Sequence, residues 1–258
     1  MLNPVTTFWG TSSIVHATVH LLNTALADEE NQRFALMSDN SIPLRNFHAV
    51  YCLLMADPHS VIDACVSPKI QRRELVMASI PKGFPHWING SVWRKSSQWW
   101  TLNRRHAVVV SEDDTIIHQF EVNCFGETGS NCLSDEHYFP TLLAIHGEEA
   151  MTTCSSTVNY IDWNRANYAH PKTFSSEQEL WQLNFFVDKR EMCGGRNNTP
   201  LGWGSTELLN DVTCSAAKDS RLGDTKLPTF NECLFMRKIA DELAPTIGEQ
   251  SIRILESL

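Results

Sequence analysis

The chain has 258 residues, 42% of them hydrophobic and 20% charged, enough to bury one large globular core. That balance excludes a disordered, collagen-like or low-complexity protein. Its 21 Lys and Arg against 30 Asp and Glu give a net charge of −9, which excludes general binding along a nucleic-acid backbone but leaves room for one local basic pocket.

The first element is a helix: from Ser12 to Ala27 the apolar residues Ile14, Val15, Val19, Leu22 and Leu26 keep helical spacing behind a Thr11-Ser12-Ser13 capping cluster. Arg33 to Ser38 reads as a short buried strand that stops at Asp39-Asn40-Ser41. A helix feeding a buried strand that ends in small polar residues is the grammar of an open α/β sheet, whose ligands gather at the carboxyl ends of strands. Residues 46–57 are expected to be helical, Ser60 to Ala64 a strand, and 66–91 a loop region with basic Lys69, Arg72 and Arg73. Residues 98–111 read as strand then helix, 137–146 as helix, and Thr157 to Trp163 as a strand. The stretch 187–230, rich in Gly, Asn, Thr and Asp, reads as a long loop region, and 239–257 as a closing helix. No internal repeat and no linker divides the chain, so 1–258 reads as a single domain.

Eight Cys are far too few for a disulfide scaffold, although Cys124 and Cys132 bracket a turn-rich segment that a disulfide can staple. No C-x-x-C pair is present, which argues against a zinc ribbon or a thioredoxin-type redox site. Two Asn-x-Ser/Thr motifs, Asn89-Gly90-Ser91 and Asn197-Asn198-Thr199, are acceptors only in a secretory compartment. No apolar run is long enough to span a bilayer, and the N-terminus lacks the basic-then-apolar pattern of a signal peptide. The chain therefore reads either as cytosolic or as lacking its original beginning. Eight Trp against four Tyr is an unusual balance; indole faces suit sugar rings, although burial is the commoner use of Trp.

The common nucleotide, hydrolase and zinc-protease motifs are absent: there is no G-x-x-x-x-G-K-[ST], G-x-G-x-x-G, G-x-S-x-G or H-E-x-x-H. Three other segments carry chemistry. Ser38-Asp39-Asn40-Ser41-Ile42-Pro43-Leu44 is either a polar turn after a strand or a binding loop. Trp93-Arg94-Lys95-Ser96-Ser97-Gln98-Trp99-Trp100 interleaves cations with Trp, which can grip an anionic or hydroxyl-rich ligand or form a solvated basic turn beside core tryptophans. In Asp135-Glu136-His137-Tyr138-Phe139-Pro140-Thr141 the acids either favour the start of the following helix or supply a general base. Asp135 and His137 lack a second His or Cys at metal-ligand spacing, and Asp113-Asp114 reads as an exposed turn.

Taken in order from Phe8 to Lys238, these segments resemble the core-2/I-branching N-acetylglucosaminyltransferase family (glycosyltransferase family 14), in particular its plant-type Branch-like members. The resemblance runs through Phe8-Trp9-Gly10, Asn31 to Leu44, Trp93 to Trp99, Cys132 to Thr141, Val158-Asn159-Tyr160-Ile161-Asp162-Trp163 and Cys233-Leu234-Phe235-Met236-Arg237-Lys238. It implies an α/β, GT-A-like fold: an open mixed sheet flanked by helices, here lacking the first strands of the nucleotide-binding half, together with the stem and the membrane anchor.

The resemblance also implies an inverting transferase that moves a GlcNAc-like sugar from a UDP-sugar to a hydroxyl of an acceptor glycan or glycoprotein. The donor is a substrate, and neither a cofactor, a metal nor a nucleic-acid partner is expected, in keeping with the missing Asp-x-Asp motif. By position, Glu136 is the general base and Lys238 the lysine that holds the diphosphate, with Arg221 as its basic partner and Arg237 as fallback. Trp163 stands near the acceptor, Arg94 and Lys95 frame its pocket, and Asp135, Ser38 and Asp39 join the substrate contacts. Where the family carries Gly in its Arg-Lys-Gly motif, this chain has Ser96. The implied location is the Golgi membrane with a lumenal catalytic domain. The alternative on the same fold is a catalytically inactive carbohydrate-binding relative or fragment; a third reading is a cytosolic hydrolase-like α/β protein with fortuitous motifs.

Overall fold

The computed structural model describes residues 4–43, 47–66, 80–124, 132–154, 159–162, 171–176 and 235–240. The chain forms two compact units, and each is assembled from two stretches of sequence. The first takes Met1–Leu36 and His59–Ser155, and the second takes Met37–Pro58 and Ser156–Leu258.

In the first unit, helix α1 (Ser12–Leu26) buries Val15, Thr18 and Leu22 along one stripe. Thr11 is its N-terminal flanking residue, but the Thr11 hydroxyl donates to Phe8 O (2.8 Å) and closes the preceding turn, making no cap to the helix. The other end is closed from a distance. Arg104 donates to Leu26 O at 3.0 Å, a carbonyl that the helix terminus leaves open, and to Asp28 O at 2.9 Å and Asn31 O at 2.8 Å in the turn that follows. Strand β1 (Arg33–Ala35) pairs antiparallel with β3 (Thr101–Asn103), setting buried Phe34 opposite buried Leu102. Asn103 ends the strand and starts helix α3 (Arg104–Ser111), its side chain accepting from the His106 N–H at 2.9 Å.

The expected strand from Ser60 to Ala64 is reduced to two bridges, Ser60 to Thr152 and Val61 to Thr101, although Val61, Ile62 and Ala64 are buried. A short apolar run cannot distinguish a strand from buried irregular chain. Asp113 proves to be no exposed turn. Its two oxygens accept from the N–H groups of Ile116 and Ile117, each at 2.9 Å, and start helix α4 (Thr115–Asn123), which was not expected. Asp113 also accepts from the Tyr138 hydroxyl at 2.9 Å. Helix α5 (Ser134–Ile145) begins three residues earlier than expected, and nine of its twelve residues are buried. A helix buried along most of its length belongs inside a core. Around it Trp93 and Phe120 pack with Phe84, Phe120 also packs on Tyr138 of the helix, and Trp100 packs on Phe139.

Cys124 pairs with Cys132 as expected, and Cys65 pairs with Cys154 across 89 residues. On loop entropy the two bonds contribute about 2.5 and about 4.6 kcal/mol. Replacing Cys65 and Cys154 together by Ser is therefore expected to cost about twice what the same change at Cys124 and Cys132 costs. Urea unfolding of the two double variants checks this, and equal midpoints would refute it.

The second unit contains β2 (Ile42–Pro43), α2 (Phe47–Ala56), β4 (Asn159–Ile161) and β5 (Phe235–Arg237). β5 is the middle strand of a mixed sheet, antiparallel to β2 (Ile42 opposite Met236) and parallel to β4 (Ile161 opposite Arg237). Pro43, which cannot donate to a ladder, sits on an outer strand of this sheet. Ile239, expected to open a closing helix, instead bridges to Phe174 in parallel, and 241–257 lie outside the described residues. The loop region 187–230 lies outside them as well. Among the described residues, two small sheets with helices make a mixed α/β fold. Among the described residues no helix is long and apolar enough to cross a membrane.

Candidate active site

In the first unit, the chemistry-bearing segments meet at the start of α5. The Ser134 N–H donates to Gly10 O at 2.9 Å, which ties the Phe8-Trp9-Gly10 turn to this helix end. Asp135 and Glu136 occupy the first helical turn, where unpaired N–H groups and the helix dipole favour negative charge.

Pro140 lies inside the helix, four residues beyond Glu136. A proline has no N–H, so the Glu136 carbonyl loses the helical partner it would otherwise have. Ser96 supplies the missing donor, its N–H reaching Glu136 O at 2.9 Å. Next along the helix, His137 Nδ1 donates to Arg94 O at 2.6 Å, and the Arg94 N–H donates to Thr141 Oγ1 at 3.0 Å. The Trp93-to-Ser96 segment is thus laid along the turn that carries Glu136. Ser96, the departure from the family's glycine, has a partner of its own: its hydroxyl accepts from the Asp63 N–H at 3.1 Å.

These bonds sort the charges. Lys95 is exposed, and its ammonium stands 2.9 Å from Glu136 Oε2 as an ion pair without hydrogen-bond alignment. The guanidinium of Arg94 is expected to frame a pocket, but it is buried and directed inward. It donates to Ala64 O at 2.9 Å, Trp93 O at 3.1 Å and Ser91 O at 2.7 Å, and it pairs with Glu149. His137 stacks on Trp93 with ring centroids 4.7 Å apart, and burial pushes its pKa down to about 4. With Nδ1 donating to a carbonyl and the ring neutral, Nε2 of His137 is left as an acceptor.

Asp135 is buried beside Glu136, and its Oδ1 has no hydrogen-bond partner. Burial first, and the charge of Glu136 second, push its pKa up to about 6. The folded state thus holds the Asp135 proton more tightly than the unfolded chain does, and the stability this confers is lost as pH rises through about 6. Asp135→Asn, which removes the charge and keeps the shape, is expected to raise the urea midpoint at pH 7.5 and to change it little at pH 4. A gain of equal size at both pH values would refute this account of the site.

The second unit gathers another set. Ser38 donates to Asn40 Oδ1 at 2.8 Å and stands 2.7 Å from the Ser41 hydroxyl, which fixes the polar turn after β1. Asn40 O accepts from the Ile239 N–H at 3.1 Å, and Lys238 O accepts from the Phe174 N–H at 2.7 Å. The Ser38-to-Ser41 turn and the Arg237-Lys238 pair are therefore neighbours. Burial lowers the pKa of Arg237, and the charge of Asp39 opposes that shift. Glu136, Lys95, Asp135 and Arg94 thus lie together in one unit, and Ser38, Asp39 and Lys238 together in the other. Trp163 and Arg221 lie outside the described residues. Among the described residues no group of three or more His, Cys, Asp and Glu is placed to hold a metal ion.

Residues 1–185 match the family described as Core-2/I-Branching enzyme. The chain belongs to that family. The rice (Oryza sativa subsp. japonica) protein named Glycosyltransferase BC10 is 36% identical over an alignment of 174 positions that takes in 60% of this chain. The chain spans 42% of that relative's length. The core-2/I-branching match covers every segment of the site in the first unit and, in the second unit, the Ser38-to-Ser41 turn, while Arg237 and Lys238 lie beyond it.

Proposed function

We propose that the chain carries the catalytic carboxylate of an inverting, GT-A-type glycosyltransferase, which moves a GlcNAc-like sugar from a UDP-sugar to a hydroxyl of an acceptor glycan or glycoprotein. The observation that carries this reading is the setting of Glu136: a partly exposed acidic side chain in the first turn of a buried helix, with Lys95, itself exposed, beside its Oε2. Family membership and the name of the rice relative support it.

In this mechanism Glu136 accepts the proton of the acceptor hydroxyl as its oxygen attacks the anomeric carbon. The bond to the UDP oxygen breaks on the opposite face, so one displacement inverts the configuration. The clamps on Arg94 and Ser96 fix the Glu136 turn, and fixed geometry is what makes a general base effective. The charge that grows on the departing diphosphate is assigned to Lys238 and Arg221, cations acting in place of a metal. Lys95 is assigned to the rim of the acceptor site and Trp163 to the acceptor sugar, a partner that suits an indole. The setting is the secretory pathway, in the Golgi lumen.

The test uses the full-length gene product with a panel of UDP-sugars, in EDTA and with added manganese. Transfer at similar rates in both is the expected result. Transfer that needs manganese would overturn metal independence alone, and failure to transfer or hydrolyse any UDP-sugar would overturn the whole reading.

A further inference from the structure

Asn89-Gly90-Ser91 is a sequence motif that the transfer reaction leaves unused, and it lies among the described residues of the first unit. It sits in a tight turn: the Ile88 N–H donates to Pro85 O at 2.9 Å, and the N–H groups of Val92 and Trp93 donate to Asn89 O at 3.0 and 2.9 Å. Ser91 is exposed, as is the neighbouring Trp87.

The two ends of the Asn89 amide are held very differently. Oδ1 accepts twice from Ser91, from its N–H at 2.8 Å and from its hydroxyl at 2.6 Å. Nδ2 makes a single long contact, to His86 O at 3.4 Å, beyond the usual range of an N–H···O bond. The oxygen therefore anchors the side chain, and one hydrogen on the nitrogen can be replaced without breaking the turn.

The cysteines give an independent indication of compartment. Among the described residues none is free, and bonds such as Cys65–Cys154 and Cys124–Cys132 persist only in oxidising surroundings. Those are the surroundings in which Asn-x-Ser motifs receive glycans.

We propose that Asn89 is an N-glycosylation site. Nδ2 attacks the anomeric carbon of a lipid-diphosphate-linked oligosaccharide, and the carbon–nitrogen bond forms as the carbon–oxygen bond to the diphosphate breaks. The diphosphate leaves with the electron pair, and one Nδ2 proton passes to a base of the transferring enzyme. The product keeps one N–H on Nδ2 and both bonds to Oδ1. Arg94 donates to Ser91 O, so the glycan-bearing turn rests on the guanidinium that supports the site. The proposal concerns compartment and surface, and it stands apart from the transferase reading.

The test is peptide mapping of the protein isolated from its own cells. The tryptic peptide Gly83 to Arg94 contains Asn89 and no other Asn. Peptide N-glycosidase in heavy-oxygen water is expected to convert Asn89 in most molecules to labelled aspartate. In expressed protein, Ser91→Ala is expected to abolish the glycan at this site and Ser91→Thr to retain it. A bare Asn89 with Cys124–Cys132 intact would overturn the site while leaving the compartment in place, and so would a glycan found at Asn197 alone. A bare Asn89 with those cysteines as thiols would overturn both. None of these outcomes bears on sugar transfer, which is measured separately.

Discussion

Glu136→Gln is expected to lower the rate of sugar transfer by about 10²–10⁴-fold, the range a positioned general base supplies. The substitution keeps the side-chain volume and leaves intact the main-chain bond from Ser96 to Glu136 O. It removes the partner of Lys95, but that side chain is 55% exposed and its ammonium can turn to water, so little stability is lost. Asp135 loses the neighbouring charge that adds to its raised pKa. The variant should therefore melt near the parent temperature, bind UDP as before and lose turnover. Equal turnover in the two proteins would remove Glu136 from the base role, and a collapsed melting temperature would show that the substitution had acted on the fold.

Arg94→Met is expected to cost about 3 kcal/mol of stability. Arg94 is 5% exposed, and its nitrogens are committed to three carbonyls and to Glu149. Glu149, one third exposed, recovers part of its hydration when the pair is broken, so most of the loss comes from the carbonyls of Ala64, Trp93 and Ser91. Arg94→Lys should recover only a minor part, because one ammonium cannot span acceptors that a planar fork reaches together. Urea unfolding of both variants measures this. A loss below about 0.5 kcal/mol for Arg94→Met would show that water replaces the guanidinium without cost.

Much of this site was legible in the sequence, and the reasons differ from residue to residue. Asp135-Glu136-His137 stands out because two acids before an apolar run can serve either a helix start or a reaction, and in the structure they occupy the helix start. The link between Pro140 and Glu136 was not drawn, because the helix was expected to begin at 137, and a proline frees the carbonyl four residues before it only where that residue is itself helical. The inward direction of Arg94 was not readable, because its acid partner lies 55 residues further on. For the same reason Asp113 looked like a surface turn: the Tyr138 hydroxyl that it accepts comes from 25 residues away. β5 was recognised as a sequence block but not as a strand. Three residues carry too little periodicity, and both of its partner strands are distant in sequence.

The pairing of β2 with β5 also bears on how the chain is made. Ile42 finds its partner at Met236, so about 190 residues are synthesised between the two. At ordinary ribosome speeds that interval is on the order of 10–40 s. Throughout it β2 has emerged while the middle strand of its sheet does not yet exist, and an unpaired strand edge of this kind is where nascent chains pair wrongly with one another. A ribosome that terminates before residue 235 would release the second unit without the strand that joins β2 to β4, whereas the residues of β1 and β3 would already be present to pair.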